Sequence, residues 1–494
     1  MTVCLIVPPS VILSKERTFP HQGILSVASS LRNAGVPVHI LDLSGVVDYE
    51  KVVETYVGEN NTTTFGFTAT SPQLPASAKL LRVIREGRTD AKVILGGPHV
   101  TLINSARRRE ITKGFSGRTR KHFDELARLF DTLITGDGEK AIFRALEAPD
   151  EKLIDADDPK SPYWLTANDL NLLPLPARDL VDLQSYEYYI DGVRATTAIT
   201  QLGCPYGCGF CGGRYSPFLR RVRLRSVESV VEEFRHIYTA HGFRGVMLYN
   251  DEVNVDPKMV QLMIALRRLG DELGIEWRLR GFVKANLFTL AQAQAMYDAG
   301  FREILVGFES GSTRILRNIN KQSTLEENTR CFEIARKAGL KVKALMSVGH
   351  PGESEETIRE TEEWLLSMHP DSFDITRITE YAGTPYYDDS VPHATIPNVW
   401  TYTAVTGDRL HAEDVDYLHD FIYYKGDRGD RMGLNKFLTF TDHLSSEEMT
   451  VLKTEMETRL REKLGQPFQV DVPGIQFEHS MGMGLPDHIL RTTK

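Results

Sequence analysis

Short apolar runs alternate with amphipathic stretches along most of the 494-residue chain. VCLIV at 3–7, VPVHIL at 36–41, TTFGFT at 63–68, AKVILGG at 91–97 and FDTLIT at 130–135 lie among helical patterns near 22–34, 75–86 and 139–147. Runs this short, spaced by amphipathic segments, predict strands that pair in parallel beneath covering helices. Residues 1–147 are therefore expected to form a doubly wound α/β domain on a five-stranded sheet. Ligands of such sheets sit beyond the carboxyl ends of the strands. Here those ends carry PPS, TATSPQ, GGPH and GDGE, which are small and polar.

From 148 to 194 the pattern loosens into acidic, Pro-containing sequence such as DADDP and LPLPARDL, expected to be a linker draped over the surface. The alternation resumes with ATTAIT at 195–200, VMLYN at 246–250, IEWRL at 275–279, EILVGF at 303–308, VKALMSV at 342–348 and FDIT at 373–376. Six strand-helix repeats over 195–385 predict a partial (β/α)6 barrel, whose chemistry gathers on the loops after the strands. Residues 386–494 lose the rhythm, are rich in Tyr, His and charge, and end in a helical pattern at 445–464. They are expected to form a small C-terminal region that caps the substrate, with Trp400, Tyr402, His411, Tyr423, Tyr424, Arg428 and Arg431 as candidates.

A net charge of -9 with 41% hydrophobic and 25% charged residues fits a soluble globular chain and argues against a general nucleic-acid surface. The basic run RRREITKGFSGRTRK at 107–121 has Phe115 as its one aromatic, so it is read as a solvated linker or insertion. MTVCLIVPPS lacks a basic region ahead of a long apolar run and is read as a strand, not a signal peptide. No stretch has membrane-spanning length. Five cysteines in 494 residues suit a reducing compartment, with the cytoplasm as the expected location.

Three of those cysteines stand in GCPYGCGFCGG at 203–213, after the first strand of the second repeat set. Cys204, Cys208 and Cys211 are spaced C-x3-C-x2-C, and the glycines let backbone amides approach sulfur. Thiolates select zinc or iron-sulfur. Structural zinc wants a fourth ligand, and the nearest downstream histidine is His236. A [4Fe-4S] cluster on three cysteines leaves one iron open to an exogenous ligand. With Phe210 before the third cysteine, this loop resembles that of the radical S-adenosylmethionine superfamily, in which the open iron binds the amino and carboxylate groups of S-adenosylmethionine. By that resemblance Asp251 and Glu252 in VMLYNDEVN, Glu309 and Ser310 in VGFESGS, and Gly349, Gly352 and Glu353 in SVGHPGES contact the cosubstrate. Two of these sets also have a plainer reading: a solvated acidic turn for Asp251 and Glu252, a turn and helix start for Gly352 and Glu353. Cys4 and Cys331 are read as core residues.

A doubly wound domain ahead of such a barrel, with PPS, GGPH, GDGEKAI and LPLPARDL in order, resembles the cobalamin-binding branch of that superfamily over residues 1–385. The resemblance implies a cobalamin lined by Thr70, Ser71 and Gln73, by Gly97, Pro98 and His99, and by Gly136, Gly138 and Glu139. No Asp lies two residues before any His, so the Asp-x-His-x-x-Gly cobalt ligand is missing. The activity implied is methylation of an unactivated carbon of a small molecule, via a 5′-deoxyadenosyl radical and methylcobalamin, with electrons from a flavodoxin- or ferredoxin-type donor. Two rivals stand beside it: cyclisation, ring rearrangement or oxidation with the same cofactors, and a cobalamin/iron-sulfur sensor.

Overall fold

The computed structural model describes residues 1–10, 16–114, 117–148, 150–419 and 439–467. Its first block is a parallel sheet of β1 (Val3–Val7), β2 (Val38–Asp42), β3 (Thr64–Thr68), β4 (Lys92–Gly96), β5 (Thr132–Gly136) and β6 (Leu153–Ala156) in the order β2-β1-β3-β4-β5-β6. Around it run α1 (Gln22–Asn33), α2 (Tyr49–Glu59), α3 (Leu74–Gly87), α4 (Pro98–Lys113), α5 (Arg118–Leu129) and α6 (Gly138–Glu147). VCLIV is buried along its whole length, as a strand covered on both faces must be. The strand order reverses beside β1, which opens a crevice at the carboxyl ends of β1 and β3.

Three expectations change. The sheet has six strands, because LIDA at 153–156 pairs in parallel with β5. The segment expected to drape the surface, which holds α7 (Ala167–Leu172), buries Leu165, Ala177, Arg178, Tyr186 and Tyr188. The basic run is no solvated insertion: it closes α4 and opens α5, and its charges are used. Arg108 pairs with Asp155 and Asp157, Arg109 and Lys113 with Asp389, and Arg118 with Glu380 while lying 4.4 Å from the Trp400 ring. Phe115 lies outside the described residues.

The second block starts with β7 (Tyr189–Ile190), antiparallel to β8 (Val193–Ala198). A two-stranded ribbon of β9 (Gln201–Leu202) and β10 (Arg223–Leu224) brackets the cysteine loop and α8 (Pro217–Arg220). Then follow α9 (Val227–His241), β11 (Gly245–Leu248), α10 (Met259–Leu273), β12 (Arg278–Gly281), α11 (Leu290–Ala299), β13 (Glu303–Glu309), α12 (Thr313–Ile319), α13 (Leu325–Lys337), β14 (Lys341–Val348), α14 (Glu355–Met368) and β15 (Ser372–Arg377). β8, β11 and β12 pair in parallel, as do β13, β14 and β15, and the bridges Leu279↔Phe301 and Phe282↔Leu305 join the two sets. This is the expected partial barrel of six parallel strands. Thr324 with Glu327 and Ser354 with Thr357 form capping boxes that start α13 and α14 where the sequence turns from strand to helix. Phe308 stacks on Phe332 at 4.8 Å, with Trp364 edge-on to both, in the core between sheet and helices.

After α15 (Pro385–Asp388), the tail forms an antiparallel sheet of β16 (Val391–Pro392), β17 (Val399–Thr403), β18 (Arg409–Glu413) and β19 (Thr439–Thr441). The final helix α16 (Ser446–Leu464) buries Met449, Met456 and Leu460 in the barrel core. Cys4 and Cys331 are buried on β1 and α13, as expected.

Candidate active site

The cysteine loop follows β9, and its shape is fixed by neighbours that leave no room for side chains. Gly203 has φ +84° and a Cβ there would lie 2.2 Å from the Arg221 carbonyl oxygen; on Gly209 it would lie 2.2 Å from the Tyr386 ring. The Gly209 amide donates to the Ile319 carbonyl at 2.7 Å, and the Tyr386 amide donates to the Gly209 carbonyl at 3.0 Å. Arg214 clamps the loop from inside, donating to the carbonyls of Cys204 at 3.1 Å, Tyr206 at 2.6 Å and Gly212 at 3.1 Å. All three cysteines are free thiols. Burial pushes Cys204 up to about 12 and raises Cys211, so a thiolate here needs a strong positive partner. Burial opposes the charge of Arg214, but Cys211, Cys204 and Asp251 more than offset it and the guanidinium stays charged.

The expected cosubstrate residues gather around this loop. A register shift in β13 between Gly307 and Glu309 leaves Glu309 at φ +68°. Such a bulge re-aims a side chain. Glu309 folds back over Gly307, where a Cβ would lie 2.6 Å from its Oε1, accepts from Lys321 Nζ at 3.0 Å and accepts from Ser347 Oγ at 2.7 Å. Lys321 is buried, which disfavours its charge, yet Glu309, Cys208 and Glu252 raise its pKa. Glu252 has one carboxylate oxygen buried without a partner, and burial lifts it to about 7 against the pull of Lys321 and Lys284. Asp251 is exposed beside it. Asn250 ties this turn to the barrel by accepting from the Thr200 amide at 2.9 Å.

Other expected residues turn inward. Ser310 bonds Thr361 at 3.0 Å and accepts from the Ser312 amide at 3.1 Å. Glu353 accepts from the Gly349 amide at 3.0 Å and from Thr357 Oγ1 at 2.6 Å, closing its own turn, and burial lifts it to about 7. Gly349 at φ +102° and Gly352 at φ +83° shape that turn.

A cleft opens between the first sheet and the barrel, with about 1490 Å³ of free space counted out to solvent. Its floor is Leu5, Ile94 and Ile134, and among the residues expected there Gly97, Pro98, Gly136, Gly138 and Glu139 line it. Thr70, Ser71, Gln73 and His99 stand at the same sheet edge but off the lining. Thr70 and Gln73 cap each other at 2.9 Å, Gln73 donates to the Pro8 carbonyl at 2.7 Å, and Ser71 bonds His99 Nδ1 at 2.8 Å. Ile199, Gln201 and Leu202, just ahead of the cysteine loop, close the cleft from the barrel side. Leu102 of α4 reaches the loop itself, 3.3 Å from where a Cβ on Gly212 would stand.

The radical SAM superfamily model matches residues 198–365, and the B12 binding domain model matches residues 10–127. The chain is a B12-binding radical SAM enzyme. An uncharacterized methyltransferase of Pyrococcus horikoshii is 27% identical over 403 residues, 79% of this chain and 83% of that one. The anaerobic magnesium-protoporphyrin IX monomethyl ester cyclase of Cereibacter sphaeroides is 24% identical over 409 residues, 79% of this chain and 63% of that one. Among solved structures, the radical S-adenosylmethionine methyltransferase TsrM of Kitasatospora setae, with cobalamin and a [4Fe-4S] cluster bound, superposes with a TM-score of 0.68. It is 17% identical, covering 92% of this chain and 91% of that one. A second TsrM structure holds tryptophan as substrate with an S-adenosylmethionine analogue; its TM-score is 0.60, its identity 18% and its coverage 82% of this chain and 79% of that one.

This B12-binding radical SAM enzyme uses a [4Fe-4S] cluster, S-adenosylmethionine and cobalamin. Its side chains fit the cluster better than a lone metal ion. Among the described residues no three His, Cys, Asp or Glu side chains converge on one ion, whereas a multi-iron cluster holds its thiolates farther apart. The cleft fits cobalamin in kind, being apolar, glycine-walled and set at the switch point of a parallel sheet. Among the described residues no helix is long and apolar enough to cross a membrane.

The tail candidates divide. Tyr402 lies 4.8 Å from Tyr386, beside the loop, whereas His411 is held within the tail sheet by Thr401 and Asp442. Tyr423, Tyr424, Arg428 and Arg431 lie outside the described residues. Sequence reasoning missed Arg214, Lys321, Lys284, His350 and Tyr386. His350 was in view inside SVGHPGES, but no local pattern tells a buried relay histidine from a turn residue.

Proposed function

We propose that the chain is a cobalamin-dependent radical S-adenosylmethionine methyltransferase that methylates an unactivated carbon of a small molecule. The observation that carries this reading is the adjacency of two stations: Gln201 and Leu202 wall the cleft, and Cys204 follows two residues later. When bound, the cofactors supply an electron for cleaving S-adenosylmethionine and a cobalt that carries methyl groups. The chain's own work is positional. Cys204, Cys208 and Cys211 would hold three irons, and Arg214 sets the loop's curvature. Glu309, Glu252 and Asp251 would receive the cosubstrate's ammonium, while Gly97, Pro98, Gly136, Gly138 and Glu139 would cradle the corrin and its tail. Thr70, Ser71, Gln73 and His99 would support that edge from behind. Ser310, Gly349, Gly352 and Glu353 would shape the pocket through the backbone. Tyr402, against Tyr386, and Trp400, against Arg118 of α5, tie the tail to both blocks, and the tail would help to exclude water from the reacting centre. A flavodoxin- or ferredoxin-type protein would supply electrons.

The test is anaerobic reconstitution with iron, sulfide and hydroxocobalamin, then incubation with methyl-labelled S-adenosylmethionine and fractionated small metabolites. Label in a product supports methylation. Release of 5′-deoxyadenosine with unlabelled product supports cyclisation, rearrangement or oxidation, a reading favoured by the likeness to the cyclase. Zinc in the loop, or no 5′-deoxyadenosine with any fraction, overturns both.

A further inference from the structure

Behind the cysteine loop runs an unbroken line of buried polar groups that the proposed function does not use in full. Lys321 Nζ donates to Glu309 Oε1 at 3.0 Å, and Ser347 Oγ donates to Glu309 Oε2 at 2.7 Å. His350 Nε2 lies 2.8 Å from Ser347 Oγ, and His350 Nδ1 lies 3.1 Å from Tyr386 Oη. Ser347 is 3% exposed, and His350 and Tyr386 are fully buried, so water does not substitute for these partners.

The direction of every proton follows from donor counting. A carboxylate only accepts, so the single Ser347 proton points at Glu309. Ser347 Oγ must then accept from His350, which places the ring proton on Nε2. Burial keeps the ring neutral, with a pKa pushed down to about 3, so Nδ1 is a bare acceptor and takes the Tyr386 hydroxyl proton. All donors therefore point from Tyr386 toward Glu309, an arrangement in which each bond strengthens the next. Tyr386 in turn is part of the cysteine loop's mould. Its amide donates to the Gly209 carbonyl, its ring fills the space a Gly209 side chain would need, and Phe210 meets His350 edge-on at 5.4 Å.

We infer that His350 is a positioning residue that couples Glu309, where the cosubstrate binds, to the cysteine loop through Ser347 and Tyr386. The inference rests on the proposed use of Glu309 for S-adenosylmethionine. Removing the Tyr386 hydroxyl frees the ring to adopt its other tautomer. Ser347 would then donate to His350, and Glu309 would lose a donor two side chains away from the change. Coupling of this kind is reciprocal, so cosubstrate binding must also alter the cluster's surroundings.

The experiment uses anaerobically reconstituted full-length protein. It measures iron content, S-adenosylmethionine affinity by equilibrium dialysis, and the EPR spectrum of the reduced cluster with and without S-adenosylmethionine. Tyr386→Phe is expected to keep its iron, weaken S-adenosylmethionine binding by about five- to tenfold, and blunt the spectral change on binding. His350→Gln, whose amide nitrogen reaches where Nε2 stood, is expected to bind within about twofold of wild type. His350→Asn, which reaches only the Nδ1 position, is expected to match Ser347→Ala in its weakening. If wild type binds S-adenosylmethionine and Tyr386→Phe does so with equal affinity and an unchanged spectrum, the coupling is wrong. Equal binding by His350→Gln and His350→Asn would overturn it too, by reducing His350 to packing. If wild type itself binds no S-adenosylmethionine, the functional reading falls first and this inference with it.

Discussion

Single side chains divide sharply between those that only pack and those that hold something. Cys331 is buried within α13 against Phe332 and its neighbours in the barrel core, whereas Cys208 lies in a glycine-lined loop. Cys208→Ala should therefore lose most of its iron after reconstitution while Cys331→Ala keeps it; equal loss by iron assay would refute the ligand set. Asp388 offers a different test. Its Oδ1 accepts from the Gly383 amide at 2.9 Å, its Oδ2 is buried without a partner, and burial raises its pKa from 3.8 to about 8. The folded state thus binds this proton more tightly than the unfolded chain does. Its stabilising contribution is full below about pH 4 and is lost as pH rises toward 8. Asp388→Asn should escape that loss. Its unfolding free energy relative to wild type, followed by melting temperature, should climb between pH 5 and pH 8 with a slope of at most about 1.4 kcal/mol per pH unit. A pH-independent difference would mean that Asp388 is ionised in the folded protein.

Among elements, the cysteine loop is shaped by close backbone approach at its glycines together with the Arg214 clamp. Gly203→Ala would place a methyl group in a left-handed conformation and against the Arg221 carbonyl, an atom that cannot swing aside. Strain of about 1–2 kcal/mol from the dihedral, with the clash on top, should lower the melting temperature by several degrees and reduce iron retention. Gly58→Ala is the control: that site in α2 meets nothing within 4 Å, and the change should be neutral or stabilise by up to about 1 kcal/mol. The strand-helix alternation of both blocks could be read from the sequence because each run carries its own periodicity. β6 could not, since LIDA is four residues of mixed polarity whose strand character comes only from pairing with β5. The basic run misled for a related reason. Its arginines look solvated in isolation, and their partners Asp155, Asp157, Glu380 and Asp389 lie between 47 and 280 residues away in sequence. The cysteines and Glu309 were legible as local motifs; Lys321 and Tyr386 were not, because only the tertiary fold brings them to the loop.

At the level of the whole molecule, the cleft belongs to neither block alone, so filling it should hold both together. Hydroxocobalamin at about a hundredfold excess over its dissociation constant should stabilise the native state by about 2.7 kcal/mol, seen as a rise in melting temperature. An unchanged melting curve under the same conditions would mean that the folded protein does not bind the corrin. Arg178 makes the same interdependence visible from the opposite side. Fully buried, its guanidinium reaches Gln22 of α1 at 3.2 Å, the Thr197 carbonyl of β8 at 2.9 Å and the Glu233 carboxylate of α9, which Arg225 also grips. A gene divided at residue 160 would therefore give two polypeptides of which neither is whole. The upstream piece would lack the cation meant for Gln22, and the downstream piece would carry a buried guanidinium short of one of its three partners. Such halves should turn up soluble only when made in the same cell, and copurify when they do.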